Sequence, residues 1–413
     1  TEVVGDKLMV RIPIDKLWPA NRNITVTAKF NSVLNGTRYY FATDPLEFAT
    51  ESATTIILGS GTSDNPYLVY TANQLAKMTS KLNSCYSLVR NVDFSGVSSW
   101  QPVGSDEDHA FSGEFNGNGF TISNLNINKE SSNNVGFFGC NAGYVYDLNV
   151  DGSITGNQCV GAIAGMNFGT IENCISTADV TGNEAVGGIA GYDNYGNVTD
   201  CSNEGSVHSD GAYAGGIVGQ IDYAAEIEGC NNTGIVYAAD GYAGGIIGCI
   251  GNVDLVSDIL VRNCVNEATI NGEVSYVGGI VGYLAMGQVN NCKNTGDIDT
   301  DIEYVGGIAG YADGAFIARV TNEGSIKGKS DVGGIVGQIN GDSGTSSVDQ
   351  ATNNGDVLSA TNGTNFFGGI AGDLGIAAEG DGGSLMGKNT AAAVGRTTDV
   401  AAKDAVRDES AAA

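Results

Sequence analysis

Proline is scarce, at 5 of 413 residues, and charged residues make up only 16 % of the chain. Neither a collagen-like helix nor a charged, disordered polymer fits that composition. No apolar run approaches the roughly 18 residues of a membrane-spanning helix, so no membrane span is expected. Basic residues are few: 19 Lys and Arg stand against 47 Asp and Glu, for a net charge of −28. A nucleic-acid binder carries the opposite footprint, which argues against nucleic acid as a partner. The acidic surface keeps a long chain soluble. Its Asp and Asn oxygens could hold Ca²⁺, although solvated carboxylates are the plainer account, and no cofactor is expected. There is no Cys-x-x-Cys pair to suggest structural zinc, and no metal site is expected. The chain opens on Thr1 without a leader-like segment, which fits a processed secreted form.

Glycine is abundant, with 62 residues, about twice its ordinary share. The cause is a repeat. Gly-Gly-Ile-x-Gly occurs at Gly187, Gly215, Gly244, Gly278, Gly306, Gly333 and Gly368, counting the first Gly of each core. Val160-Gly161-Ala162-Ile163-Ala164-Gly165 is a near copy, and Val135-Gly136-Phe137-Phe138-Gly139 a degenerate one. Successive cores lie 25, 26, 28, 29, 34, 28, 27 and 35 residues apart. A second motif falls between them, as in Val198-x-x-Cys201-x-Asn203-x-Gly205-x-Val207. Each unit thus offers three short apolar pieces separated by Gly, Asn and Asp, a strand pattern. Repeats of this length mean a solenoid. They are too short for propeller blades and lack the leucine-rich consensus. The expected fold is all-β: a right-handed parallel β-helix of about 27-residue coils, stacked at the strand spacing and roughly 40 Å long. The two longest gaps place loop insertions at 251–258 and 341–347.

Several columns recur in this frame. Cys174, Cys201, Cys230, Cys264 and Cys292 occupy one position, which Leu148, Val320 and Ala351 take elsewhere. That interchange marks an inward core site, and a ladder of free thiols fits it best. Disulfides fit less well, because parallel neighbours have side-by-side Cβ vectors. The odd total of nine Cys cannot pair fully within one chain. Asn203, Asn232, Asn266, Asn294, Asn322 and Asn353 form a second column, expected to bond both their own turns and each other. Tyr213, Tyr242, Tyr276 and Tyr304 form a third, just before four successive cores. Facing outward, they would make a flat amphipathic strip for a sugar or protein ligand; facing inward, they would be packing. They are the candidate ligand-binding residues. Tyr192, Tyr283 and Tyr311 form a patchier column after the cores.

The chain divides into a small β-module or the end of an immunoglobulin-like or pilin-like domain (1–52), opening coils with a cap (53–134), the repeat β-helix (135–375), and a C-terminal cap or disordered tail (376–413). In the first region 8–14, 24–28 and 38–41 read as strands. Thr71-x-x-Gln74 is a capping box ahead of a short helix over about 72–80 that could cover the first coil. A further short helix is expected over 400–407.

The Val-Gly-Gly-Ile-Val-Gly cores, followed by Asn-Cys-x-Asn-x-Gly-x-Val, resemble the GLUG-motif repeats of bacterial surface proteins. Gly61-Thr62 through Asn65-Pro66-Tyr67, Trp100-x-Pro102-Val103-Gly104 and Phe115-Asn116-Gly117-Asn118-Gly119 resemble the segment that often precedes them. The resemblance covers about 56–372. It implies a surface protein of the adhesin kind, or the non-catalytic part of an immunoglobulin-A-cleaving metallopeptidase. The peptidase motif His-Glu-x-x-His is absent, and the two histidines, His109 and His208, stand alone.

The expected function is a non-catalytic, extracellular or cell-surface adhesin or rigid display scaffold for glycan or host-protein ligands. Two alternatives stay open. One is a β-helix polysaccharide lyase or hydrolase, which would need two carboxylates at matched separation. Glu172, Asp200, Glu228, Arg262, Arg319 and Asp349 are instead scattered over several coils, and Asp193, Asp200 and Glu204 read as solvated turn carboxylates. The other is a subunit of a pilus or surface filament.

Overall fold

The computed structural model describes residues 58–251, 259–273, 276–340, 346–360 and 366–373 with their side chains, and short strands elsewhere by backbone. The chain forms two units, 1–57 and 58–413. The first contains three antiparallel pairs: Glu2–Val4 with Lys7–Met9, Arg22–Val26 with Leu46–Thr50, and Lys29–Leu34 with Thr37–Ala42. Strands were expected near three of these segments.

The second unit is a parallel β-solenoid. One coil runs Ala164–Asn167, Thr170–Glu172, Ile175–Ser176, Asp179–Gly182 and Glu184–Gly187. The strand after each glycine core joins a nine-stranded trailing sheet, and the strand before it an eight-stranded leading sheet. The remaining three pieces of each coil build a broad sheet. Five strands therefore replace the three anticipated, because tight corners interrupt the apolar pieces.

Side chains alternate in and out along each piece, so Ile171 is buried between the half-exposed Thr170 and Glu172. Register then stacks like on like. Ile171, Val198, Ile227, Val261, Val289, Ile317 and Val348 form one inward column. All are at most 2 % exposed, and each contributes about 1.5–3 kcal/mol relative to exposure.

One corner has positive φ in coil after coil: Asp147, Asn173, Asp200, Gly229, Asn263, Asn291, Arg319 and Gln350 lie between 50° and 64°. Only Gly229 among them is glycine; Asn and Asp tolerate this conformation through local side-chain hydrogen bonds. The corner aims the next residue inward. That residue is Leu148, Cys174, Cys201, Cys230, Cys264, Cys292, Val320 or Ala351, each at most 1 % exposed. The five stacked cysteines are free thiols, and Cys201 donates to Thr199 O at 3.2 Å. Burial pushes the Cys201 and Cys230 thiols well up.

The core glycines serve close approach, not positive φ. A Cβ on Gly244 would lie 1.8 Å from Ile247 O, and one on Gly216 2.1 Å from Gly245 O and 2.3 Å from Asn232 Cγ. The first glycine lets the leading and trailing strands bend sharply. The second leaves room for the asparagine column. That column is completely buried, and from Asn203 to Asn322 each Nδ2 bonds twice: Asn232 reaches Gly234 O at 3.0 Å and Asn266 Oδ1 at 2.9 Å. Where the second glycine becomes Ala162, the asparagine position holds the smaller Ser176.

Thr71 caps the helix Ala72–Leu75, with both capping-box bonds present, and a 3-10 turn Ala76–Ser80 continues it. Leu75 and Met78 are buried in the core. At the other end Ser384–Asn389 and Ala393–Val394 still pair in parallel with Ser347–Asn353 and Val357–Leu358. The broad sheet thus outlasts the glycine cores, with Asn389 in register with Asn353. The expected insertions lie between in-register strands, but 252–258 and 341–345 fall outside the described residues, as does the helix expected over 400–407.

Candidate functional site

Tyr213 and Tyr242 pair directly in the leading sheet, each followed by a buried alanine, so their rings point outward. Tyr276 and Tyr304 precede Val277 and Val305, which continue the same register. Ring centroids lie 5.3 Å apart for Tyr213–Tyr242, 5.0 Å for Tyr242–Tyr276 and 4.9 Å for Tyr276–Tyr304. The four expected residues therefore form one continuous row of ring contacts, edge-on between Tyr242 and Tyr276.

The structure joins this stack to part of the patchier column. Tyr283 and Tyr311 pair in the trailing sheet and stack at 5.0 Å with only 5° between planes. Across the glycine bend, Tyr283 stacks on Tyr242 at 4.9 Å, and Tyr276 meets Tyr283 and Tyr311 edge-on at 5.6 and 5.2 Å. Outward side chains of two sheets can touch only where the outer surface is re-entrant. The bend that the glycines permit makes it so. The result is a six-ring strip, every ring half-buried. Packing and outward display, posed as alternatives, are both realised. The seven-residue offset of Tyr276 from Tyr283, and of Tyr304 from Tyr311, was the available signal. Without the bend it could not be read as contact.

Tyr192 stands apart, because Gln220 and Cys249 occupy the intervening rungs. Its hydroxyl donates to Asp222 Oδ2 at 3.0 Å. Within the strip, Asn340 Nδ2 donates to the Tyr311 hydroxyl at 2.8 Å. Partial burial raises the phenol pKa values, that of Tyr213 to about 12. The rings are therefore neutral at physiological pH, with hydroxyls that can donate or accept. No charged side chain belongs to the six-ring strip itself; in the leading column Asp331 follows Tyr304 on the next rung. The arrangement offers flat apolar area edged by hydroxyls, with Asp222 near the Tyr213 end and Asp331, Glu303 and Asp373 near the Tyr304 end.

The scattered charged residues do not converge on the strip. Arg262 pairs with both Glu226 and Glu228 on the broad sheet. His109 contacts Asp106, and His208 contacts Asp210. Among the described residues no three His, Cys, Asp or Glu side chains are placed to hold a metal ion, and no helix is long and apolar enough to cross a membrane. Asp193 is not the solvated turn carboxylate expected. It is completely buried at the end of a second amide ladder, in which Asn141 donates to Asn167 at 2.8 Å and Asn167 to Asp193 Oδ1 at 3.0 Å. Burial pushes its pKa up to about 7.

Comparison with known proteins agrees with the repeat. Residues 274–299 match the GLUG motif family. A 168-residue stretch is 34 % identical to halomucin of Haloquadratum walsbyi, covering 37 % of this chain and 2 % of halomucin. Another, of 128 residues, is 36 % identical to a provisionally named Gly-rich membrane protein of Evansella cellulosilytica, covering 28 % of this chain and 15 % of that one. The chain thus spans only a small part of either relative. Among solved structures, a provisionally assigned immunoglobulin A1 protease from Bacteroides ovatus superposes with a TM-score of 0.53 at 27 % identity, over 59 % of this chain and 79 % of that one.

Proposed function

We propose that this chain is a non-catalytic, surface-displayed scaffold whose solenoid presents the tyrosine strip to an extended ligand, a glycan chain or a protein segment. The six-ring strip carries this reading. Four consecutive coils place Tyr at one outward position, where the solenoid itself needs no aromatic: Ala185 holds that rung one coil earlier. The glycine bend then brings two more rings alongside. The relatives named as halomucin and as a membrane protein support a surface setting.

The test is a glycan and host-protein array probed with the full chain and with a Tyr242→Ala/Tyr276→Ala variant, together with assays for reducing-sugar release and for immunoglobulin cleavage. Binding that the double variant weakens, without product release, is the expected result. Release of sugar or peptide by the wild-type chain would overturn the non-catalytic reading.

A further inference from the structure

A second aromatic feature lies on the opposite side of the trailing sheet, where it turns into the broad sheet. Tyr195 and Tyr223 sit in the connecting loops of two consecutive coils, and their rings stack at 5.2 Å with 17° between planes. Tyr195 is 63 % exposed, the most exposed large apolar side chain among the described residues. Its backbone is held at φ +59°, so the ring's position is built into the loop rather than adopted by default. Buried Asp193 lies two residues earlier, and a Cβ on Gly196 would come within 2.1 Å of Asp193 Oδ1. The loop is therefore packed tightly against its buried anchor.

Beside the exposed ring is a cleft of about 400 Å³. That volume falls within the usual range for small-ligand sites and has room for one or two sugar rings. Its base is apolar, from Ala225, Ile259 and Leu260. Its polar groups come from one outward column of the broad sheet: Asn197 pairs with Glu226, Glu226 with Leu260, and Leu260 with Gln288. Amide and carboxylate groups thus recur at multiples of the roughly 4.8 Å strand spacing, close to the repeat of a pyranose chain.

We infer that this cleft binds a neutral saccharide, with the C–H face of one pyranose on the stacked Tyr195 and the hydroxyls of successive sugar units on Asn197, Glu226 and Gln288. An exposed ring beside fixed amides and a carboxylate matches the two faces of a sugar, one apolar and one polyhydroxylated. Charge selects the neutral class. The net charge of −28 disfavours an anionic glycan, and the neighbouring Arg262 is already taken by Glu226 and Glu228. The cleft shares no residue with the tyrosine strip and does not depend on it.

The experiment titrates the full chain by calorimetry with cellohexaose, xylohexaose, mannohexaose and chitohexaose to millimolar concentration, and with an oligogalacturonate as the anionic arm. At least one neutral hexasaccharide binds, and Tyr195→Ala weakens it about tenfold, as loss of a stacking ring would. Gln288→Ala weakens it less, and Tyr242→Ala/Tyr276→Ala leaves it unchanged. Tyr195 and Gln288 are exposed, so circular dichroism of their variants should match wild type. Failure of every neutral probe, binding of the oligogalacturonate alone, or affinity unchanged by Tyr195→Ala would overturn the cleft. Neutral-sugar binding lost only in the Tyr242/Tyr276 variant would assign the sugar to the strip instead and leave that reading standing.

Discussion

The opening coils fill their interior with rings, whereas the repeat coils fill theirs with stacked small residues. Phe94, Trp100, Phe111, Phe115, Phe137 and Phe138 make one cluster, with Trp100 stacked on Phe137 at 5.1 Å and Phe111 against Phe138 at 4.8 Å. Trp100 Nε1 donates to Phe137 O at 3.0 Å. From Val160 onward the interior holds Val, Ile, Ala, Cys and the buried asparagines. The first arrangement suits the opening coils, where rings can fill an irregular interior. The second suits propagation, since each coil must present its neighbour with the shape it receives. Phe137 and Phe138 mark the change: Phe138 is in register with Ala164, the residue after the isoleucine, and Phe137 alone stands where later coils carry the second glycine and the isoleucine. Ala162 with Ser176 is the intermediate step before Gly188 with Asn203.

The largest expected effect tests the repeat side. Gly216→Ala sets a Cβ against Gly245 O and the Asn232 side chain, where backbone must part. A loss above about 4 kcal/mol in urea unfolding is expected, with new protease-sensitive sites near residue 216. In the opening coils Phe137→Ala leaves a cavity among rings and should cost about 3–5 kcal/mol by the same measurement. Equal sensitivity of Gly216→Ala and of Gly96→Ala, whose Cβ meets nothing within 4 Å, would break the comparison.

Asp193 supplies a pH dependence. Its folded pKa, pushed up to about 7 by burial, exceeds its ordinary value of 3.8. Between those values the folded chain keeps a proton that the unfolded chain has lost. This contribution therefore stabilises the fold at low pH and is lost progressively as pH rises from about 4 to about 7, by at most about 4 kcal/mol. Asp193→Asn should remove that component of the unfolding profile and raise stability at pH 8. An unchanged profile would show that Asp193 has the same pKa in the folded and unfolded chains.

A smaller effect separates the two packing schemes. Asn203 Oδ1 is buried without a donor, because the preceding rung is Ser176. Ser176→Asn alone should crowd Ala162 and cost about 1–3 kcal/mol. Adding Ala162→Gly should recover that loss, since the new amide can extend the ladder to Asn203. A double-mutant cycle without coupling would refute the pairing. Gly96→Ala closes the series, with a change within about 0.5 kcal/mol.

The coil length, the parallel solenoid, the inward cysteine column, the hydrogen-bonded asparagine ladder and the Thr71 capping box were all legible in the residues. Each rests on local pattern or on register, and in a solenoid every coil repeats the same contacts. The capping box needs only residues three apart. What the chain could not disclose depends on angles between sheets and on depth. The glycine bend makes two tyrosine columns one strip. The ring cluster forms because Trp100 and Phe137, distant in sequence, meet in the interior of the opening coils. The corner at Asn173 and its equivalents cuts three apolar pieces into five strands. Asp193 looked like a surface carboxylate because its neighbours are turn residues. Only the stack of Asn141 and Asn167 above it shows that its rung points inward. Sequence determined what lies above and below each residue, since strand register carries that information. Tertiary structure decided what lies across from it, since only the folded path of the coil brings those surfaces together.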